Sequence, residues 1–220
     1  MADKLSIYNN ALGHLFERKL SSLAEERKPR RVLDDYWDGV VAYCLEREPW
    51  NFIYRAVSID ASSTMTPGFG FLYAFKIPDD WVRTHLASSV PTFSPPLTDL
   101  REEAGYWYAN FTPLYVQYNS KDPLYGMDLG KWPASFVDYV ELRLARQACK
   151  RITGKEELLR GPDGLIDQER KARRTAAAIV AMNDPVGFAP QSSWVRARRG
   201  FSAQMPGPGG DSPTGSALVP

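Results

Sequence analysis

The side chains with chemistry to offer are few and scattered. Two histidines, His14 and His85, and two cysteines, Cys44 and Cys149, stand far apart in a chain of 220 residues. None has the short His/Cys/carboxylate spacing of a metal site. A Ser-His-Asp or Cys-His arrangement needs nearness in space and not in sequence, so it stays open without positive support. Paired carboxylates are the other route, because a glycosidase needs two of them around one bond. The pairs on offer are Asp79–Asp80 and Glu102–Glu103. Adjacent residues in a strand or turn diverge, so solvated charges are the favoured reading. Asp34, Asp35 and Asp38 share one side of an expected helix with Arg30 and Arg31, and read as its wet face. "PGFGF" lacks the Lys-Ser/Thr partner and the following helix of a phosphate loop, and a turn accounts for its glycines. The expectation is a protein that is not an enzyme, with no cofactor and no metal.

Charge narrows the partners. The net charge of +1 gives no overall pull toward nucleic acid or anionic membrane. Two local stretches are basic: "ERKPRR" (26–31) and "WVRARRGF" (194–201). In the second, Arg196, Arg198 and Arg199 alternate with or follow Trp194 and precede Phe201. Such a stretch can stack bases, but aromatics and arginine are also the residues enriched at protein interfaces. Without a DNA-binding motif, the interface is favoured. No run approaches the roughly 18 apolar residues of a membrane span, so no membrane anchor is expected. "MADKLSIYNN" has no apolar signal core, and the two cysteines read as reduced, packed thiols of a chain made in a cytoplasm.

The elements that must position these groups follow from periodicity. Leu5, Tyr8, Leu12, Leu15 and Phe16 predict a helix over 4–20, with Asp3 as its N-cap. A second helix, from Pro29 to about Glu46, buries Val32, Leu33, Tyr36, Trp37, Val40, Val41 and Cys44. After Pro49, "WNFIYRAVSID" alternates like a strand, and "FGFLYAFKIP" is a second. "PDDWVRTHLASS" reads as one helical turn or an irregular return, "SVPTFSPPLTD" as a Pro-rich connection, and 104–118 as two strands turning near Asn110. Helix returns from Pro133 to a stop at Gly154, and again from Leu165 to Met182. The whole predicts an α+β fold: an antiparallel bundle of about four helices (1–56 and 130–183) with an inserted antiparallel β subdomain (57–129). Residues 184–220, rich in Pro, Gly and Ser, predict an extended arm. Trp50 and Phe52 are expected to wedge the helices against the first strand, with Pro49 completing a structural hinge.

Several of these pieces occur in an order that resembles the head-to-tail connector (tail tubular protein A) family of tailed bacteriophages. "IYNNALGHLFERKLSSLAEE" is similar to the opening of such proteins, with its Asn-x-x-Leu element and "SSL" plus acids. A "PWNFA"-like motif follows the second helix, here Pro49, Trp50, Asn51, Phe52 and Ile53, with Ile53 in place of the usual small residue. An aromatic "YAF-x-LP-x-D-x-x-R" strand stands at Tyr73–Arg83, a tyrosine strand at Tyr115–Tyr118, "WP-x-x-F" at Trp132–Phe136, and "LARQACKRITG" closes the series. The resemblance spans about residues 5–183. It implies a virion protein at the head–tail junction: a homo-oligomeric ring, typically twelve-fold (a dodecamer), below the portal. The ring would extend the channel through which double-stranded DNA leaves, without sequence-specific binding. Its β part would face the next tail component, a nozzle or tail tube protein. By analogy with related adaptors, the arm with Trp194, Arg196, Arg198, Arg199 and Phe201 would bind the portal. A rival from another class is a tail-associated peptidoglycan hydrolase using Glu102 and Glu103, or Asp79. A weaker third is a DNA-binding module.

Overall fold

The computed structural model describes residues 3–161 and 163–183. Among them are four α-helices: α1 (Lys4–His14), α2 (Lys28–Arg47), α3 (Ala134–Thr153) and α4 (Leu165–Asn183). Between α2 and α3 come β1 (Tyr54–Ile59), β2 (Tyr73–Lys76), β3 (Trp81–Ser88), β4 (Arg101–Glu103), β5 (Tyr106–Ala109) and β6 (Leu114–Ser120). The strands form two antiparallel sheets, ordered β1-β6-β3 and β2-β5-β4. The fold class is α+β.

Local chemistry explains where each helix starts and stops. Asp3 and Ser6 make a reciprocal capping box: the Ser6 amide donates to the Asp3 carboxylate at 2.6 Å, and the Asp3 amide to Ser6 Oγ at 3.1 Å. The first helix ends at His14 and not at Leu20 as its apolar spacing predicts. The reason is Asn9, whose side chain accepts from the Leu20 amide (2.7 Å) and donates to the Leu20 carbonyl (3.1 Å). That clasp folds 15–20 back on the helix and buries Leu20 from a loop. Pro29 lies in the first turn of α2, and Gly154 ends α3 with a left-handed φ of 70°.

α3 packs against each of the other helices. Ile7, Leu12, Leu33, Leu45, Leu144 and Ala148 are among the fully buried residues of this helical core. Charges reinforce it. Glu169 on α4 is only 6% exposed and pairs with Arg143 (3.1 Å) and Arg146 (2.7 Å) of α3. The aspartates expected to form a merely solvated face divide. Asp34 accepts from Tyr8 Oη and Arg30, each at 2.8 Å, and Asp35 pairs with Arg151 at 2.9 Å, while Asp38 is exposed. Two of the three therefore tie α2 to α1 and to α3.

The β region departs most from expectation. In "PDDWVRTHLASS" a turn at Asp79–Asp80 leads into strand β3, where a helical turn or irregular return is expected, with Arg83 and His85 exposed and Val82, Thr84 and Leu86 half-buried between them. Two register shifts against β6 interrupt its pairing, although exposure still alternates from Val82 to Leu86. A short strand, β4, follows the Pro-rich connection, just ahead of the two strands expected over 104–118. β1 starts at Tyr54, after a 3-10 turn over Asn51–Ile53. β6, central in its sheet, pairs Tyr54↔Asn119 through Ile59↔Leu114 with β1. Phe75, Ala87, Trp107, Ala109, Leu114, Val116 and Tyr118 make a second, smaller buried cluster.

Candidate functional site

The densest meeting of side chains is where α2 gives way to β1. Pro49 cannot continue the helix, and the chain turns so that Trp50 enters the core fully buried. Its indole N–H donates to the Cys44 carbonyl at 2.7 Å, taking up one of the acceptors that a helix end leaves unpaired. The Trp50 ring meets Phe136 edge-on at 4.9 Å, and Phe52, half-buried, meets Phe136 at 5.0 Å. Trp132 meets the same Phe136 at 5.0 Å, perpendicular to it, and its own N–H donates to the Gly126 carbonyl at 2.9 Å. Segments more than 80 residues apart thus form one aromatic cluster around Phe136. Gly126 has to be glycine, because a Cβ there would stand 2.1 Å from the Ser120 carbonyl oxygen.

A polar knot completes the junction on the sheet side. Asp80, in the turn before β3, accepts from Ser120 Oγ (2.5 Å), Tyr118 Oη (3.1 Å) and Arg55 (2.9 Å). Burial alone would raise the Asp80 carboxyl, but these hydrogen bonds and the Arg55 charge outweigh it and hold the group below its ordinary value. Next to it, the buried Asn119 side chain donates to the carbonyls of Leu45 (3.1 Å) and Glu48 (3.0 Å) at the end of α2. Arg83 reaches the Arg47 carbonyl at 3.4 Å.

The residues considered for catalysis are not brought together. Glu102 and Glu103 alternate along β4. Glu102 lines a cleft of about 460 Å³ with Tyr43, Glu46, Arg47, Trp81 and Thr84, and accepts from Thr84 Oγ1 at 3.1 Å. Glu103 lies 3.6 Å from Arg101 and lines a different hollow. Asp79 is exposed in the turn. His85 stacks on Tyr54 at 4.4 Å, whereas His14 lies on α1, where burial lowers its pKa against the pull of Asp138. Cys44 and Cys149 are buried and unbridged, and burial pushes the Cys44 thiol up to about 12. Among the described residues there is no group of three side chains able to hold a metal ion, and no helix is long and apolar enough to cross a membrane. The glycine loop, with Gly70 at φ +85°, leads into a strand and leaves Phe69 94% exposed. Trp194, Arg196, Arg198, Arg199 and Phe201 lie outside the described residues.

Sequence reasoning missed Asp80 as the knot of the sheet and Glu141 as a buried carboxylate. Glu141, on α3, is 4% exposed and takes one hydrogen bond, from Asn10 Nδ2 at 2.9 Å. Burial raises its pKa to about 7. Its sequence signal is slight: Glu141 follows Val137 and precedes Leu144 on the apolar side of the helix. No protein-family model matches the chain, and no curated protein matches it significantly in sequence.

Proposed function

We propose that the chain is a structural virion protein, a ring-forming adaptor that joins the portal of a tailed bacteriophage to its tail and extends the DNA exit channel. One observation carries the reading. The motifs that the family resemblance sets in order along the sequence are the ones that touch in the fold. Trp50 and Phe52 of the "PWNF" element meet Phe136 of "WP-x-x-F", and Tyr118 of the tyrosine strand donates to Asp80 of the "YAF" element. These contacts make the motifs one junction between helices and strands, and that is what supports the reading. In the proposed assembly the four helices bundle side by side around the ring, the sheets face the next tail protein, and residues 184–220 reach the portal.

The test is electron microscopy of the purified full-length chain mixed with portal rings. The expected image is a closed ring of copies, twelve-fold where the portal is, beneath the portal. Decorated portals with scattered single copies would refute the ring. Removing 186–220 is expected to abolish attachment while the remaining chain keeps its circular dichroism spectrum; attachment retained would refute the arm.

The hydrolase alternative rests on Glu102 sharing its cleft with Glu46 and Trp81. It predicts clearing of a peptidoglycan suspension that Glu102→Gln abolishes. The adaptor reading predicts no clearing by either protein.

A further inference from the structure

Two helices carry exposed stripes of opposite character. On α2 the exposed positions Asp38, Gly39, Ala42 and Glu46 combine acids with small residues. On α4, Arg170, Lys171 and Arg174 are exposed. Arg170 lies 3.2 Å from Asp167 and Lys171 3.9 Å from Asp163, which leaves Arg174 as the outward-facing cation that pairs with no acid among the described residues. The geometry of the helices makes these stripes comparable in height. α2 runs against α3, since Asp35 pairs with Arg151 at one end and Trp50 meets Phe136 at the other. α4 also runs against α3: Glu169 pairs with Arg143 and Arg146, and Ala177 and Val180 lie beside Trp50 in one small cleft. α2 and α4 are therefore parallel to each other, and the Glu48–Arg173 ion pair fixes their relative level. On that alignment Glu46 stands level with Lys171–Arg174, and Ala42 about 6 Å lower, level with Asp167–Arg170.

We infer that the acidic, small-residue stripe of α2 in one copy docks against the basic stripe of α4 in the next copy. This rests on the ring reading and adds the face by which the ring closes. A rotation about an axis along the helices keeps every residue at its own height. It therefore brings Glu46 of one copy to the level of Lys171–Arg174 of its neighbour, where the charges are opposite. Gly39 and Ala42 leave room for the neighbouring helix to approach closely. The contact is heterologous, two different patches joined, which is the kind that propagates round a ring and does not stop at a dimer. The two charge sets also bias against the wrong pairings, because α2 on α2 or α4 on α4 would oppose like charges.

Disulfide trapping in the full-length chain tests this, since its own two cysteines are buried. The double variant Ala42→Cys/Arg170→Cys, oxidised at high concentration, is expected to give a ladder of covalent oligomers. Each single variant alone should give none, and a mixture of the two singles should stop at dimers. Adding Glu46→Arg is expected to cut the trapped yield about tenfold, and adding Arg174→Glu as well to restore it. Three results would overturn the inference. One is a double variant that stays monomeric. Another is Ala42→Cys alone trapping dimers, which would mean a symmetric α2–α2 contact. The third is slow thiol labelling of the single variants, which would mean that another part of the same chain covers the stripe. A closed ring seen on the portal without any ladder would fault this interface and leave the ring reading standing. A ladder in a chain that never decorates portals would do the reverse.

Discussion

Trp50 and Trp107 are both fully buried indoles, yet they sit in cores of different construction. Around Trp50 the helical core is closed by rings and aliphatic side chains, and the indole N–H ends on a backbone carbonyl. Trp107 belongs to a cluster of only seven buried residues, and its N–H goes to Thr84 Oγ1 at 3.1 Å and to the carboxylate of Glu102, an exposed residue. The helices are held chiefly by removed apolar area, the sheets by a thin core stitched with polar side chains. Local opening is therefore expected to begin in the sheets, with the helices carrying most of the stability of the chain.

The largest expected effect breaks the helical side. Trp50→Ala removes a fully buried ring of the aromatic cluster and should cost about 3–5 kcal/mol, read as a lower urea midpoint for the whole chain. A smaller loss, confined to the sheet amides in hydrogen exchange, would mean that the junction belongs to the β region. Next is Glu169→Ala, which leaves Arg143 facing α4 without its anion and should cost about 3 kcal/mol. If instead it proves neutral, apolar packing alone holds α4.

Asp80→Asn is expected to cost about 1–2 kcal/mol, and to raise exchange in β1, β3 and β6 before any helix responds. Its pH dependence has a definite sign. The folded Asp80 carboxyl titrates below its ordinary 3.8, so its contribution is present above that pH and is lost as pH falls through the folded value. The last effect sharpens the comparison from the other direction, by placing a pH response inside the helical core. Glu141 titrates near 7 in the folded chain against an ordinary 4.5. Its stability is complete below 4.5 and is lost as pH rises through about 7. Glu141→Gln should therefore match the parent at pH 4.5 and exceed it by about 1–2 kcal/mol at pH 8 in thermal melts. A difference that stays constant with pH would show that Glu141 is ionised throughout.

The helices were legible because their burial follows a period that sequence displays. Val32, Leu33, Val40 and Val41 of α2, and Phe136, Val140, Leu144 and Ala148 of α3, are buried as their spacing predicts. What escaped depends on partners distant in the chain. Nothing near Leu20 announces that Asn9 will clasp it, and the bulges of β3 arise only against β6. The aromatic junction at Trp50 and Phe52 was visible as an aromatic cluster at a change of period. Its counterpart at Trp132 and Phe136 was visible only as part of a helix start. Glu141 and Glu169 looked like ordinary helix-surface acids, because a buried charge is recognised by what surrounds it.

Gly126 carries a last consequence, best put in terms of heredity. If every position were randomised and the population sorted for folded chains, position 126 would return a single letter. A side chain there would have to displace the main chain of Ser120. Gly130, a few residues on, faces only the flexible carboxylate of Asp128 and would return several. Two glycines that composition counts alike would thus leave different records. The invariant one would mark where the chain, leaving its last strand for the helices, passes against its own backbone.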